Sequence, residues 1–265
     1  MKKIAMFGIC GKMGTSMAKE LLKEKDMEVI CGFDKLNVEK DMGYVLGIGE
    51  NNKKIFNRYE DVRNLNPDLI IDFTNAEAAS ETITWALNEG IDIIVGTTGF
   101  KKDELVKIEE RANKSRSKVF IVPNFSIGAV LMIKISQMIA KYFDDCEIIE
   151  LHHDKKKDAP SGTSIFTAQQ ISQTKEFNSV RLKEGETETV GGSRGAFSDG
   201  IHIHSVRLPG FLAHQNVIFG TCGQTLSIKH DSIDRSSFYP GLLMAVRKID
   251  KVQNYTYGLD KILDL

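Results

Sequence analysis

Residues 150–163 read Glu-Leu-His-His-Asp-Lys-Lys-Lys-Asp-Ala-Pro-Ser-Gly-Thr, which gathers two adjacent imidazoles, a run of ammonium groups and a turn rich in backbone N–H donors. A segment of this make-up suits the binding of a small dianion and the passing of protons to it. Residues 146–153 predict a strand, and neighbours on a strand point to opposite faces. His152 and His153 therefore reach one pocket only from a strand end or a bend. Pro160 limits how far regular structure continues. Ser161-Gly162-Thr163 then leads into a helix expected over 164–173, whose first N–H groups and dipole can receive a carboxylate. Lys156 lies near enough in sequence to add positive charge. The site fits a molecule with two carboxylates.

Other chemistries compete for the same residues. A His-His pair can ligate a metal, but neither HExxH nor a suitably spaced cysteine accompanies it and the lysines repel a cation, so no metal is expected. Ser161 as a nucleophile lacks the G-x-S-x-G elbow. Lys155, Lys156 and Lys157 also read as an exposed charge run. His204, His214 and His230 are accounted for as structural histidines, and Arg207-Leu-Pro-Gly210 ends a strand.

A second constellation stands near the N-terminus. Gly8-Ile9-Cys10-Gly11-Lys12-Met13-Gly14 follows an apolar strand and opens a helix. Such a turn brings a pyrophosphate close to backbone, and the helix N-terminus offers unpaired N–H groups and partial positive charge. Asp34 closes the next strand, where it can hold a ribose diol. Cys10 departs from GxGxxG by replacing the second glycine, and the alternative is a plain strand-to-helix turn. Lys35 complicates the cofactor: Asp34 disfavours the extra phosphate of NADPH while a neighbouring ammonium attracts it. NADH and NADPH are both compatible. Gly96-Thr97-Thr98-Gly99-Phe100 and Asp72-Phe73-Thr74 follow strands on the edge where open α/β sheets bind ligands, although turns and helix caps explain them too. Val122-Pro123-Asn124-Phe125 is either the start of a helix or a nicotinamide wall.

The elements that must position these groups follow from apolar patterning. Continuous Ile/Val/Phe-rich runs at 3–9, 28–33, 69–73, 91–95 and 118–122 predict strands covered on both faces. Helical patterns at 13–25 and 76–89 alternate with them, which indicates a parallel α/β sheet. After Pro123 the pattern changes: a helix over 126–143, strand 146–153, helix 164–173, a polar Gly-rich excursion 184–200, strands near 201–208, 215–220 and 224–230, and a helix over 238–249. Strands 201–208 and 224–230 alternate, which suits an antiparallel sheet with one solvated face.

The chain has 265 residues, 42% hydrophobic and 27% charged, with a formal net charge of −1. That balance is ordinary for a globular protein and carries no global field toward nucleic acid or an anionic membrane. The opening MKKIAMFGIC lacks a small-residue cleavage site and reads as a buried strand rather than a signal peptide. The apolar stretch 127–139 is interrupted by Lys134 and too short to span a bilayer. Cys10, Cys31, Cys146 and Cys222 show no framework spacing, so four free thiols in the cytoplasm are expected.

Residues 150–163 closely resemble the E-x-H-H-x-x-K-x-D-A-P-S-G-T signature of the dihydrodipicolinate reductase family. The resemblance continues through Gly8–Gly14, Asp72–Thr74, Gly96–Phe100, Pro123–Gly128, Val206–Gly210, Gly220–Gly223 and Ile228–Arg235, nearly the whole chain. It implies a Rossmann-type dinucleotide-binding domain over 1–125 and 238–265. An inserted α+β substrate and tetramerisation domain with a mixed sheet would span 126–237. It further implies NADH- or NADPH-dependent reduction in the diaminopimelate/lysine pathway by a cytoplasmic homotetramer without nucleic-acid or membrane partners. By motif position His152 resembles the proton donor and Lys156 its catalytic partner. His153, Lys156, Gly162 and Thr163 resemble the site for the dicarboxylate substrate. Gly8, Ile9, Cys10, Gly11, Lys12, Met13, Asp34, Lys35, Gly96, Thr97, Thr98, Val122, Pro123, Asn124 and Phe125 resemble the cofactor contacts. A dehydrogenase of another small amino or keto acid on the same fold is the alternative.

Overall fold

An apolar run without alternation needs cover on both faces, and Lys2–Phe7 (β1) has it: Ile4 through Phe7 are all buried. The computed structural model describes residues 1–177 and 180–263. Its contacts divide the chain into two units, residues 1–126 with 238–265, and residues 127–237.

In the first unit β1 is followed by α1 (Lys12–Leu21), β2 (Met27–Phe33), α2 (Met42–Leu46), β3 (Ile55–Phe56), α3 (Tyr59–Arg63), β4 (Leu69–Asp72), α4 (Ala76–Glu89), β5 (Asp92–Val95), α5 (Lys102–Ala112) and β6 (Val119–Ile121). The second unit contains α6 (Ile127–Ile139), β7 (Asp145–His152), α7 (Gly162–Ser172), β8 (Ala196–Ser198), β9 (Ile201–Arg207), β10 (Ala213–Thr221) and β11 (Gln224–Ser232). The chain then returns to the first unit with α8 (Tyr239–Lys248) and β12 (Tyr255–Tyr257).

The first unit's sheet is parallel, in the order β12-β6-β5-β4-β1-β2-β3. Successive crossovers on either side of β1 set the direction reversal between β1 and β4, the place where such sheets bind ligands. Local signals fix the helices. Asn75 caps α4 by accepting from the Ala78 N–H at 3.1 Å, and Gly90 ends it in the left-handed region. Helix α1 stops at Leu21 rather than near residue 25. The Lys23 and Glu24 N–H groups bond the Glu20 and Leu21 carbonyls, a tighter final turn. β1 likewise stops at Phe7, because Gly8 takes φ +71° and leaves the strand conformation.

The second unit's sheet runs β11-β10-β7-β9-β8. β10 pairs antiparallel with both β7 and β11, but β9 pairs parallel with β7. The antiparallel expectation for strand 201–208 is thus corrected: its direction is set by the crossover through α7, whereas alternation reports only which face is covered. Cys146 and Ile148 of β7, Ile201 and Ile203 of β9, and Val217 and Phe219 of β10 pack against Met132, Ile133, Ala168 and Ile171 of α6 and α7. That helical layer covers one face of the sheet. The polar excursion expected over 184–200 contains the short strand β8, antiparallel to β9. The helix expected over 126–143 gives way at Ala140–Tyr142 to a 3-10 turn.

Candidate active site

In the first unit the segments expected to contact a cofactor lie at the C-terminal ends of β1, β2, β5 and β6, with β4 standing between β5 and β1 along the same sheet edge. A Cβ on Gly14 would lie 2.0 Å from the Gly8 carbonyl oxygen, so only glycine lets α1 begin this close to the turn. Gly11 occupies the N-cap of α1 with no side-chain hydrogen bond, and the first turn holds no acidic residue. The helix end is therefore left open to a phosphate. Asp34 accepts from the Cys10 N–H and the Leu36 N–H, both at 3.0 Å. Its carboxylate is thus pinned beside the turn, and the departure at Cys10 does not disrupt it. Lys12 and Lys35 are exposed.

Beyond β4, the buried Asp72 accepts from the Thr74 N–H at 2.8 Å and from the Thr74 and Thr97 hydroxyls at 2.6 and 3.5 Å. Burial pushes its carboxyl up despite these donors. Asp72 thereby links the turn after β4 to the Gly96-Thr97-Thr98 turn, whose Gly96 N–H bonds the Asp72 carbonyl at 2.8 Å. Phe125 meets Phe73 with ring centroids 5.6 Å apart, and the Val122 N–H bonds the Val95 carbonyl at 2.8 Å. Asn124 accepts from the Ser126 N–H at 2.8 Å and stabilises the bend after Pro123. A dinucleotide fits this cradle. Gly14→Ala is expected to destabilise the first unit by about 1–3 kcal/mol, the usual size of overpacking, and to weaken NADH binding; urea unfolding and cofactor fluorescence titration check both.

In the second unit β7 ends at His152, so His153 leaves the strand's alternation and its carbonyl accepts from the Lys156 N–H in a turn. The required strand end is therefore present. Glu150, two residues before His152 and on the same face, is wholly buried. Its Oε2 lies 2.5 Å from His152 Nδ1 and accepts from Arg207 Nη1 at 2.8 Å, while Oε1 accepts from Arg207 Nη2 at 2.7 Å and from the Ser161 N–H at 3.2 Å. One carboxylate thus holds the His152 ring and the Ser161 turn within its own width. Burial pushes the Glu150 carboxyl up, but bonds from Arg207, Ser205 and His152 outweigh it and leave the group below its ordinary range. Burial also lowers His152, reinforced by Lys156 and Arg207 and opposed by Glu150.

Ser161 caps α7, its hydroxyl accepting from the Ser164 N–H at 3.1 Å. Gly162 and Thr163 are exposed at the first turn, and among the described residues no hydrogen bond reaches their N–H groups. Lys156 is held by Asp158, with both carboxylate oxygens 2.8 Å from Nζ, and it keeps the Asp158 carboxyl below its ordinary range. Lys155 and Lys157 are exposed. Glu150 and Arg207 were not among the residues expected to act. The signal was present: a carboxylate amid Ile and Leu on a buried strand requires a counter-ion.

Comparison with known proteins matches the descriptions "Dihydrodipicolinate reductase, N-terminus" over residues 2–125 and "Dihydrodipicolinate reductase, C-terminus" over residues 128–263. A 4-hydroxy-tetrahydrodipicolinate reductase of Carboxydothermus hydrogenoformans is 43% identical over 264 residues, covering 99% of this chain and 100% of the relative. One from Listeria monocytogenes is 41% identical, with 99% and 100% covered. Among solved structures, a dipicolinate-bound dihydrodipicolinate reductase from Paenisporosarcina sp. TG-14 superposes with a TM-score of 0.88 at 36% identity, covering 99% of this chain and 100% of that one.

Proposed function

The chain belongs to the dihydrodipicolinate reductase family, and on that premise we propose that it reduces 4-hydroxy-tetrahydrodipicolinate to tetrahydrodipicolinate in the diaminopimelate/lysine pathway. NADH or NADPH, held by the turns of the first unit, supplies the hydride. His152 donates the proton that quenches the charge developing on the substrate ring, and water leaves from the 4-hydroxy position. The Lys156 ammonium stabilises that developing charge and shares the substrate carboxylates with His153. The Gly162 and Thr163 N–H groups fix a carboxylate's direction as fixed donors do. A substrate carboxylate reaching Lys156 takes over the role that Asp158 plays in the free protein.

The observation that carries this reading is the Glu150 carboxylate, which joins His152 to the N-terminus of α7 through hydrogen bonds of 2.5 and 3.2 Å. A proton donor and an anion site are thereby supported by one buried group. The test follows NADH and NADPH oxidation with freshly generated substrate. Turnover with either cofactor supports the reading; turnover only with another small amino or keto acid overturns it.

The chain also acts as a cytoplasmic homotetramer in this reading. Support comes from the sheet face opposite α6 and α7, where Ile149, Leu151, Val206 and Ile218 remain partly exposed, a face that a second copy can cover. Ile218→Lys is expected to shift the tetramer to smaller species by light scattering, and an unchanged mass overturns the assignment of this face. The four cysteines are unpaired, which suits a reducing compartment. Among the described residues no helix is long and apolar enough to cross a membrane.

A further inference from the structure

We propose that Glu150 is a positioning residue for this reaction: its buried carboxylate fixes the His152 ring in the Nδ1–H tautomer and ties it to the Ser161-Gly162-Thr163 turn. The inference rests on the assignment of His152 as proton donor made above. A carboxylate shielded from water must have its lone pairs filled by the protein. Here the donors arrive from three elements: the end of β7 (His152), the end of β9 (Arg207) and the N-cap of α7 (Ser161). An ionised carboxylate only accepts hydrogen bonds. The ring nitrogen facing it therefore carries hydrogen, and Nε2 is left as the atom whose proton is exchanged.

Arg207 makes this arrangement stable in two ways. Its paired N–H bonds keep Glu150 ionised, hence an acceptor. It also donates from Nη2 to the Asp158 carbonyl at 2.8 Å, which anchors the turn that carries Lys156. A polar chain extends the anchoring into α7. The Ser161 and Ser164 hydroxyls are 2.7 Å apart, and Ser164 donates to Gln215 Oε1 at 2.7 Å. Gln215 Nε2 then donates to Thr167 Oγ1 at 2.9 Å. Gln215 is the register partner of Glu150 across β10 and β7. The strand end bearing the imidazole and the helix end bearing the anion site are thus locked to the same two strand positions.

The test begins with the unmutated protein. Nitrogen-15 NMR of the imidazoles, with His152 assigned by its loss in His152→Gln, is expected to show a protonated Nδ1 and an unprotonated Nε2 at neutral pH. The opposite tautomer in a protein that retains reductase activity overturns the proposal and leaves the function standing. Undiminished turnover in His152→Ala removes the underlying assignment instead. The paired variant Glu150→Gln/Arg207→Met removes both charges together and avoids leaving one buried alone. It is expected to lose about 10–10²-fold in kcat, by analogy with removal of the hydrogen-bonded partner behind a metal-ligating histidine. The limb of kcat/KM attributable to His152 moves to lower pH, because Glu150 favours the imidazolium more strongly than Arg207 opposes it. Wild-type kcat with an unshifted pH profile overturns the positioning role.

Discussion

His152→Ala is expected to lower kcat by about 10²–10⁴-fold, the contribution of a well-placed general acid, and to leave cofactor affinity unchanged. By transition-state arithmetic this is about 3–5 kcal/mol of lost stabilisation. The split is expected because His152 lies in the second unit, whereas the Gly8–Gly14 turn, Asp34 and the Gly96–Thr98 turn lie in the first. Steady-state kinetics together with a cofactor titration check it. Near-normal turnover removes His152 from the chemistry.

The same residue sets a pH dependence. Burial, with help from Lys156 and Arg207, holds the free-protein imidazole below its ordinary value of 6.5, against the pull of Glu150. In the proposed role His152 must be protonated to act, so kcat/KM, which reports the free protein, is expected to fall as pH rises through that lowered value. In the proposed complex the substrate carboxylates lie near the ring, and opposite charge favours the imidazolium. The corresponding limb of kcat therefore lies at higher pH than that of kcat/KM. Two pH profiles measured on one preparation decide this, and coincident limbs argue against substrate charge acting on His152.

Much of this site is legible in the sequence because its parts are local. The Gly8–Gly14 turn and Asp34 at a strand end each depend on neighbours within a few residues, and each forms where patterning puts it, whereas α7 begins at Gly162, two residues before the expected start at 164. What pairs across the sheet is not legible in that way. Arg207 reaches Glu150 only because β9 runs parallel to β7 with His152 opposite Arg207, and strand alternation carries no information about direction. Short elements are equally silent. β3 and β12, of two and three residues, are too brief for a period to emerge. β12 joins the sheet only because the chain returns from the second unit. Helix α5 buries just Ile108 and Ala112, with Leu105 partly buried beside them, so its apolar stripe is thin.

Arg207→Met is expected to destabilise the protein by about 3–5 kcal/mol, the cost of leaving one member of a buried ion pair without its partner. Glu150 is fully buried and the Arg207 side chain only 18% exposed, so water replaces little of what is lost. The pH dependence of stability should change sign as well. In the wild type Glu150 is held below its ordinary value of 4.5. Its contribution is present above the unfolded-state value and lost as pH falls through the lower folded one. Without Arg207 the burial that already pushes this carboxyl up acts with less opposition, and the folded-state value rises above the unfolded one. The folded state then binds the proton more tightly, so stability falls as pH rises through that window and is regained on acidification. Urea unfolding of both proteins from neutral pH downward tests this directly. Adding Glu150→Gln to Arg207→Met should recover most of the loss, because the cost lies in the stranded charge rather than in the missing arginine. A double variant as unstable as the single one would place the energy in Arg207's bonds to the Asp158 and Val206 carbonyls, both 2.8 Å, instead of in the ion pair.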